Sequence, residues 1–201
     1  MNLAVFASGN GSNFEAIVKK IKKGEIKVNS LVLVCDQPGA FVIKRALKHN
    51  IKVILVSRRD FKNRDDFETA ITERLKNYRI NLIALAGFMR VLSPAFVKRF
   101  KDRIINIHPS LLPAFKGACA IKDAYDSKCS ATGVTVHFVD QEVDHGPVIL
   151  QKEVKIDRAD SLAALEKKIH LLEHKLYPQA LKLFIAGKIS FKKGKVCFIN
   201  S

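Results

Sequence analysis

The 201-residue chain has no tryptophan and only three tyrosines. A basic module that binds nucleic acid without catalysis needs aromatic side chains interleaved with its lysines. Here the 13 phenylalanines mostly fall on apolar stripes, so that class is disfavoured. Cysteine is scarce. Cys35, Cys119, Cys129 and Cys197 form no C-x-x-C pair, so neither a zinc site nor a redox motif is suggested. They read most simply as reduced thiols in a cytosol. No apolar run reaches the length of a membrane span. The start, Met1–Ala7, lacks a basic n-region and reads as a first strand rather than a signal peptide. A cytoplasmic protein with no membrane partner is expected.

Acidic residues are also few: 19 Asp and Glu stand against 35 Lys and Arg, a net charge of +16. Such a balance favours polyanionic partners, whether nucleic acid, phosphorylated metabolites or polycarboxylates, and does not choose among them. Many lysines lie in stretches such as Lys19-Lys20-Ile21-Lys22-Lys23, where a solvated helix face is the simplest reading. Apolar content of 48% and charged content of 27% suit one soluble domain with a sizeable core.

Apolar runs alternate with helical periodicity over the first hundred residues. Runs at 2–7, 30–35, 52–56 and 82–86 read as strands, the last uniformly apolar and so central and parallel. Helices are expected after the first run (Phe14, Ile17, Val18 and Ile21 inward), over 40–49, between 60 and 78, and from Ser93-Pro94 as N-cap and N1. This alternation predicts an α/β doubly wound, mostly parallel sheet. Beyond Pro113 the pattern changes. A helix over 118–127 precedes two runs, 133–139 and from Val148, that read as an antiparallel addition. Ser161 could cap a long helix with Leu162, Leu165, Ile169, Leu172, Leu176 and Ala180 on one stripe. The tail reads as a hairpin turning at Lys193-Gly194.

Three features carry chemistry. Ser8-Gly9-Asn10-Gly11-Ser12-Asn13 lies between a strand and a helix, an arrangement that presents backbone N–H groups and a helix N-terminus to a phosphate. The dinucleotide pattern G-x-G-x-x-G fails at Phe14, although Asp36 would suit a ribose hydroxyl. A site for one phosphate is preferred, with a plain βα turn as its competitor. Second, Asn106-Ile107-His108-Pro109-Ser110-Leu111-Leu112-Pro113 follows an apolar strand. Asn106 and His108 share one strand face, Ile107 points to the core, and Pro109 stops the ladder. An amide that can hold an oxyanion and an imidazole that can carry a proton then stand at the carboxyl end of a strand, where open α/β sheets bind ligands. Third, His170-Leu-Leu-Glu173-His174 matches the H-x-x-E-H zinc pattern. No Asp or Glu follows Glu173 to supply a further acidic ligand, so no metal is expected. Glu173 reads better as a single carboxylate in a ligand cleft, or as a surface partner.

The Ser8–Asn13 loop, Gly87–Leu92, Asn106–Pro113 and the stretch from Gly133 through Asp144-His145-Gly146-Pro147 together resemble the glycinamide ribonucleotide formyltransferases of purine synthesis, in order, to about Pro178. The resemblance implies transfer of a formyl group from 10-formyltetrahydrofolate to the amine of 5-phosphoribosylglycinamide, with no metal. It implies a catalytic trio of Asn106, His108 and Asp144. It assigns the phosphate to Gly11, Ser12 and Asn13 and the glycinamide end to Glu173. Arg64, Met89, Arg90, Val91, Leu92, Asn106, Asp140 and Asp144 match positions that hold the folate. One domain over 1–201 is expected, with a phosphate-binding half to about residue 100 and a catalytic and folate half beyond, as monomer or homodimer with small-molecule partners only.

Asp144 would orient His108 and favour its charged form. Two positions depart from the pattern: Cys119 stands where a histidine is common and Asp123 where glutamine is usual. Two relatives of the same chemistry fit less well. Methionyl-tRNA formyltransferases carry a further C-terminal domain, for which 201 residues leave no room. Formyltetrahydrofolate hydrolases carry an N-terminal regulatory domain, whereas this chain begins at a strand.

Overall fold

The computed structural model describes residues 1–192 and 195–199. The chain divides into two compact units, Met1–Ile105 and Asn106–Ser201.

The first unit is built of β1 (Asn2–Ala7), α1 (Ser12–Lys22), β2 (Ser30–Cys35), α2 (Phe41–Lys48), β3 (Lys52–Leu55), α3 (Arg64–Lys76), β4 (Leu82–Leu85) and α4 (Pro94–Arg99). β1 pairs in parallel with β2 and with β4, and β2 with β3, so the order is β3-β2-β1-β4. Leu82 to Ala86 are all buried, as the uniformly apolar run requires of a central parallel strand. The order reverses between β1 and β4. Loops at the carboxyl ends of those two strands flank the switch point where ligands of doubly wound sheets bind. Here those loops are joined directly: Ser8 N–H donates to the Gly87 carbonyl at 3.0 Å and Met89 N–H to Ser8 Oγ at 2.9 Å.

Side-chain caps mark the starts of α3 and α4. Ser93 Oγ accepts from Phe96 N–H, and buried Glu68 on α3 accepts the Ser93 N–H at 2.7 Å and its hydroxyl as well. Such a cap is worth about 1 kcal/mol. α3 begins later than its periodicity suggests. A single 3-10 turn at Arg58–Asp60 comes first, and Asn63 then caps the helix by accepting from Asp66 N–H at 2.8 Å. Phe88 packs edge-on against Phe6 at 5.3 Å, which ties the segment after β4 into the core.

Strand β5 (Ile104–His108) crosses from the first unit into the second and runs to His108, beyond Asn106, stopping only at Pro109. The second unit continues with α5 (Ala120–Asp126), β6 (Ala131–Phe138), β7 (Val148–Lys155), α6 (Leu162–Ile185) and a separate pair, β8 (Ile189–Lys192) and β9 (Lys195–Phe198). β6 and β7 are antiparallel, with a register shift between Val136 and His137. The expected α/β class, mostly parallel with an antiparallel addition, is therefore what the strand pairing gives. Ser161 caps the 24-residue α6 by accepting from Ala164 N–H, and Leu165, Ile169, Leu176 and Ala180 are buried along it. β8 and β9 pair antiparallel as a hairpin would, and the turn expected at Lys193-Gly194 lies outside the described residues.

Candidate active site

In the first unit, Gly11 takes a left-handed φ of 75° as N-cap of α1, with no side-chain cap. A Cβ there would overlap the Val42 side chain of α2, so glycine answers both the backbone angle and the close approach. Ser12 and Asn13 open the helix, Asn13 largely buried. The segment after β4 alternates. Met89 and Val91 are exposed by 66% and 59%, while Leu92 is buried. Arg90 Nε donates to Asp36 Oδ2 at 2.7 Å. Asp36 is 1% exposed, so it anchors Arg90 and is not presented as a ribose acceptor. Arg64 is exposed at the first position of α3.

The second unit brings Asn106, His108 and Asp144 together. His108 Nδ1 lies 3.4 Å from Asp144 Oδ2, and Asn106 Nδ2 lies 3.4 Å from Asp144 Oδ1. His108 is buried, not a surface histidine at a strand end. Its Nε2 is 2.8 Å from the Phe115 carbonyl oxygen, which can only accept, so Nε2 carries a proton.

A fourth side chain completes the cluster. His137 is buried on β6; its Nδ1 is 2.8 Å from the Phe138 carbonyl and its Nε2 is 3.2 Å from Asn106 Nδ2. The carbonyl takes the Nδ1 proton, and Nε2 lies against the Asn106 amide nitrogen and 3.7 Å from Asp144 Oδ1. The Asp144 carboxylate, which can only accept, sets the Asn106 amide with its nitrogen toward Asp144 and the His137 ring.

Asp144 has a φ of 49° and Phe115 one of 52°, left-handed values that cost on the order of 1 kcal/mol or more and gather at functional sites. Burial pushes the Asp144 carboxyl up. The His137 side chain, the Gly117 N–H at 2.9 Å and the His108 ring push it down by more, so it lies below the ordinary aspartate value. Gly146 lets this turn fold back, since a Cβ there would overlap the Phe138 carbonyl oxygen.

The Asn106–Pro113 segment is clamped from β6. Buried Thr135 donates its hydroxyl to the Ser110 carbonyl at 2.7 Å and accepts from Leu112 N–H at 3.1 Å and from Gln151 Nε2 at 2.8 Å. One donor and two acceptor sites are all used, which is a hydroxyl's full capacity.

Glu173, on α6, is 5% exposed and hydrogen-bonds His170 Nδ1 at 2.8 Å. That bond raises the His170 pKa against the opposing effect of burial. Two members of the H-x-x-E-H pattern thus satisfy each other. Among the described residues no group of three His, Cys, Asp or Glu side chains is arranged to hold a metal ion. Asp140 Oδ2 meets His145 Nδ1 at 2.7 Å and its Oδ1 accepts the Glu142 N–H, so its carboxylate organises its own loop. Cys119 is exposed at the N-cap of α5 and caps nothing with its side chain; Asp123 lies in that helix's first turn.

His137, the Phe115 carbonyl and the Gly117 N–H are the functional groups that sequence reasoning missed. Only His137 leaves a trace. Thr135 and His137 stand two positions apart on one face of a strand whose other face carries Val134, Val136 and Phe138, and a buried polar pair of that kind needs a reason.

A family model described as Formyl transferase matches residues 1–181. The chain belongs to the formyl transferase family. Within this family it is 46% identical, over 89% of its own length and 92% of the other's, to a phosphoribosylglycinamide formyltransferase of Bacillus subtilis. It is 36% identical to the trifunctional purine biosynthetic protein adenosine-3 of Homo sapiens, over 98% of this chain and 20% of that protein. Glycinamide ribonucleotide transformylase 1 from Symbiobacterium toebii superposes with a TM-score of 0.95 at 35% identity, covering 98% of this chain and 93% of that one. The transformylase 1 from Geobacillus kaustophilus gives 0.89 at 48% identity, over 91% and 97%. Among the described residues, no helix is long and apolar enough to cross a membrane.

Proposed function

We propose that this formyl transferase moves the formyl group of 10-formyltetrahydrofolate to the primary amine of 5-phosphoribosylglycinamide, a step of purine biosynthesis. The observation that carries the reading is the arrangement of Asn106 and His108, each 3.4 Å from Asp144, with the Phe115 carbonyl at His108 and the His137 ring at Asn106. The amine attacks the formyl carbon, a tetrahedral oxyanion forms, and the bond from that carbon to the folate nitrogen breaks. The amine loses one proton and the folate nitrogen gains one. Asn106 N–H stabilises the oxyanion, a contribution of ~3 kcal/mol at comparable sites. His108 moves the proton, worth roughly 10²–10⁴ in rate. Asp144, ionised across the neutral range, orients His108 and balances its charge. Ligand entry displaces the Phe115 carbonyl from His108 and the Asp144 carboxylate from the Asn106 amide, freeing both donors.

Gly11, Ser12 and Asn13 hold the substrate phosphate and Glu173 the glycinamide end. Arg64, the Met89–Leu92 segment and Asp140 hold the folate. The exposed Met89 and Val91 offer apolar contact, while Leu92 holds the segment from below. No metal takes part, and the partners are small molecules, with no nucleic acid or membrane. The enzyme works in the cytoplasm as a monomer or homodimer.

The test is steady-state release of tetrahydrofolate with and without the amine, in wild type and His108→Asn. Amine-dependent release, lost in the variant, is expected. Release without the amine means hydrolysis, and a fully active variant removes His108 from proton transfer.

A further inference from the structure

Three successive carbonyl groups of the Ser8–Asn13 loop, those of Gly9, Asn10 and Gly11, are engaged by groups of α1 and α2. The Gly9 carbonyl accepts Val42 N–H of α2 at 3.1 Å, and the Gly11 carbonyl accepts Glu15 N–H of α1 at 3.0 Å. Between them, Arg45 of α2 bonds Asn10 twice, Nε to the main-chain oxygen at 2.9 Å and Nη2 to Oδ1 at 3.0 Å. In a planar trans peptide the C=O and the following N–H point in opposite directions. Carbonyls held against the helices therefore turn the N–H groups of Asn10, Gly11 and Ser12 to the other side, the arrangement that makes a backbone anion site.

Arg45 is itself held on several sides. Its guanidinium lies 4.9 Å from the centre of the Phe41 ring and 3.7 Å from Glu15 Oε2, and Glu15 is fixed in turn by His49 Nε2 at 3.0 Å. The guanidinium fork matches two oxygens of one residue, which a lysine ammonium on a flexible stem cannot do in one fixed geometry.

We infer that Arg45 is a positioning residue for the substrate phosphate: it fixes the Asn10 peptide so that the loop's N–H groups meet the phosphate oxygens. This rests on the reading of Gly11–Asn13 as the phosphate site. The experiment compares wild type, Arg45→Met and Arg45→Lys with 5-phosphoribosylglycinamide and with the same compound lacking its phosphate. Wild type favours the phosphorylated substrate strongly. Arg45→Met raises its KM by about 10-fold or more with kcat nearly unchanged. It leaves kcat/KM for the dephosphorylated compound and KM for the folate as in wild type. Arg45→Lys, which keeps the charge but loses the fork, recovers only part of the affinity.

An equal loss with both substrates, an unchanged KM in Arg45→Met, or full recovery in Arg45→Lys would each overturn the inference. Failure of the phosphate reading itself is seen separately, as a wild type that does not distinguish the two substrates.

Discussion

Asp144→Asn changes shape by almost nothing, which makes it a sharp probe of the cluster. Oδ2 accepts the Gly117 N–H at 2.9 Å and faces His108 Nδ1 at 3.4 Å, while Oδ1 faces Asn106 Nδ2 at 3.4 Å. An asparagine has one oxygen and one NH2. With the NH2 at the Oδ2 place, two donors, from Gly117 and His108, meet a third. With the NH2 at the Oδ1 place, two amide nitrogens face each other. Either orientation forfeits a hydrogen bond to a charged group, about 1.5–3 kcal/mol of stability. The larger effect falls on the reaction, because His108 loses the carboxylate that orients and balances it. A fall in kcat of roughly 10²–10⁴ is expected, equivalent to about 3–5 kcal/mol of barrier.

Stability against pH separates the charge from the shape. The folded-state pKa of Asp144 lies below its ordinary value. Its stabilising contribution is therefore full above the unfolded pKa, near ~3.9, and is lost as pH falls through the folded value. Urea unfolding of the variant should show a shallower loss of stability on acidification than wild type. Retention of more than about a tenth of wild-type kcat, in a variant with its stability otherwise intact, would refute the assigned role.

Three further substitutions test the surroundings. His137→Ala removes the ring held against the Asn106 amide and the Asp144 carboxylate; kcat should fall by on the order of 10-fold or more with KM for both substrates little changed, and steady-state kinetics decide it. Thr135→Val leaves the Ser110 carbonyl, Leu112 N–H and Gln151 amide without their shared partner. It should lower the unfolding free energy by about 2–4 kcal/mol in urea titrations. Gly146→Ala forces a methyl onto the Phe138 carbonyl oxygen, and a loss of more than ~2 kcal/mol together with most of the activity is expected from melting and rate measurements.

Strand and helix alternation was legible because each strand of the first unit is a short, continuous apolar run and the helices carry apolar stripes. Ser93 and Ser161 announced their helices because a hydroxyl at that position has one obvious use. The start of α3 was obscured because an amphipathic pattern continues through a 3-10 turn, although Asn63, three residues before Asp66, was the cap signal. Within the candidate site, Asn106 and His108 were readable from strand parity, and Asp144 only through family resemblance. His137 hid in a strand where alternation alone looked sufficient. The Phe115 carbonyl and the Gly117 N–H had no signal at all, since main-chain groups are the same in every residue and only backbone angles aim them. Arg45 was invisible for a related reason, as one of many cations on helices that read as solvated faces.

The fate of the formyl carbon can be followed directly. Purified protein is given 10-formyltetrahydrofolate labelled in its formyl group together with 5-phosphoribosylglycinamide, and the products are resolved by mass. One label on the glycinamide amine is expected for each tetrahydrofolate released. Label appearing as free formate, or no label on the amine, would contradict it.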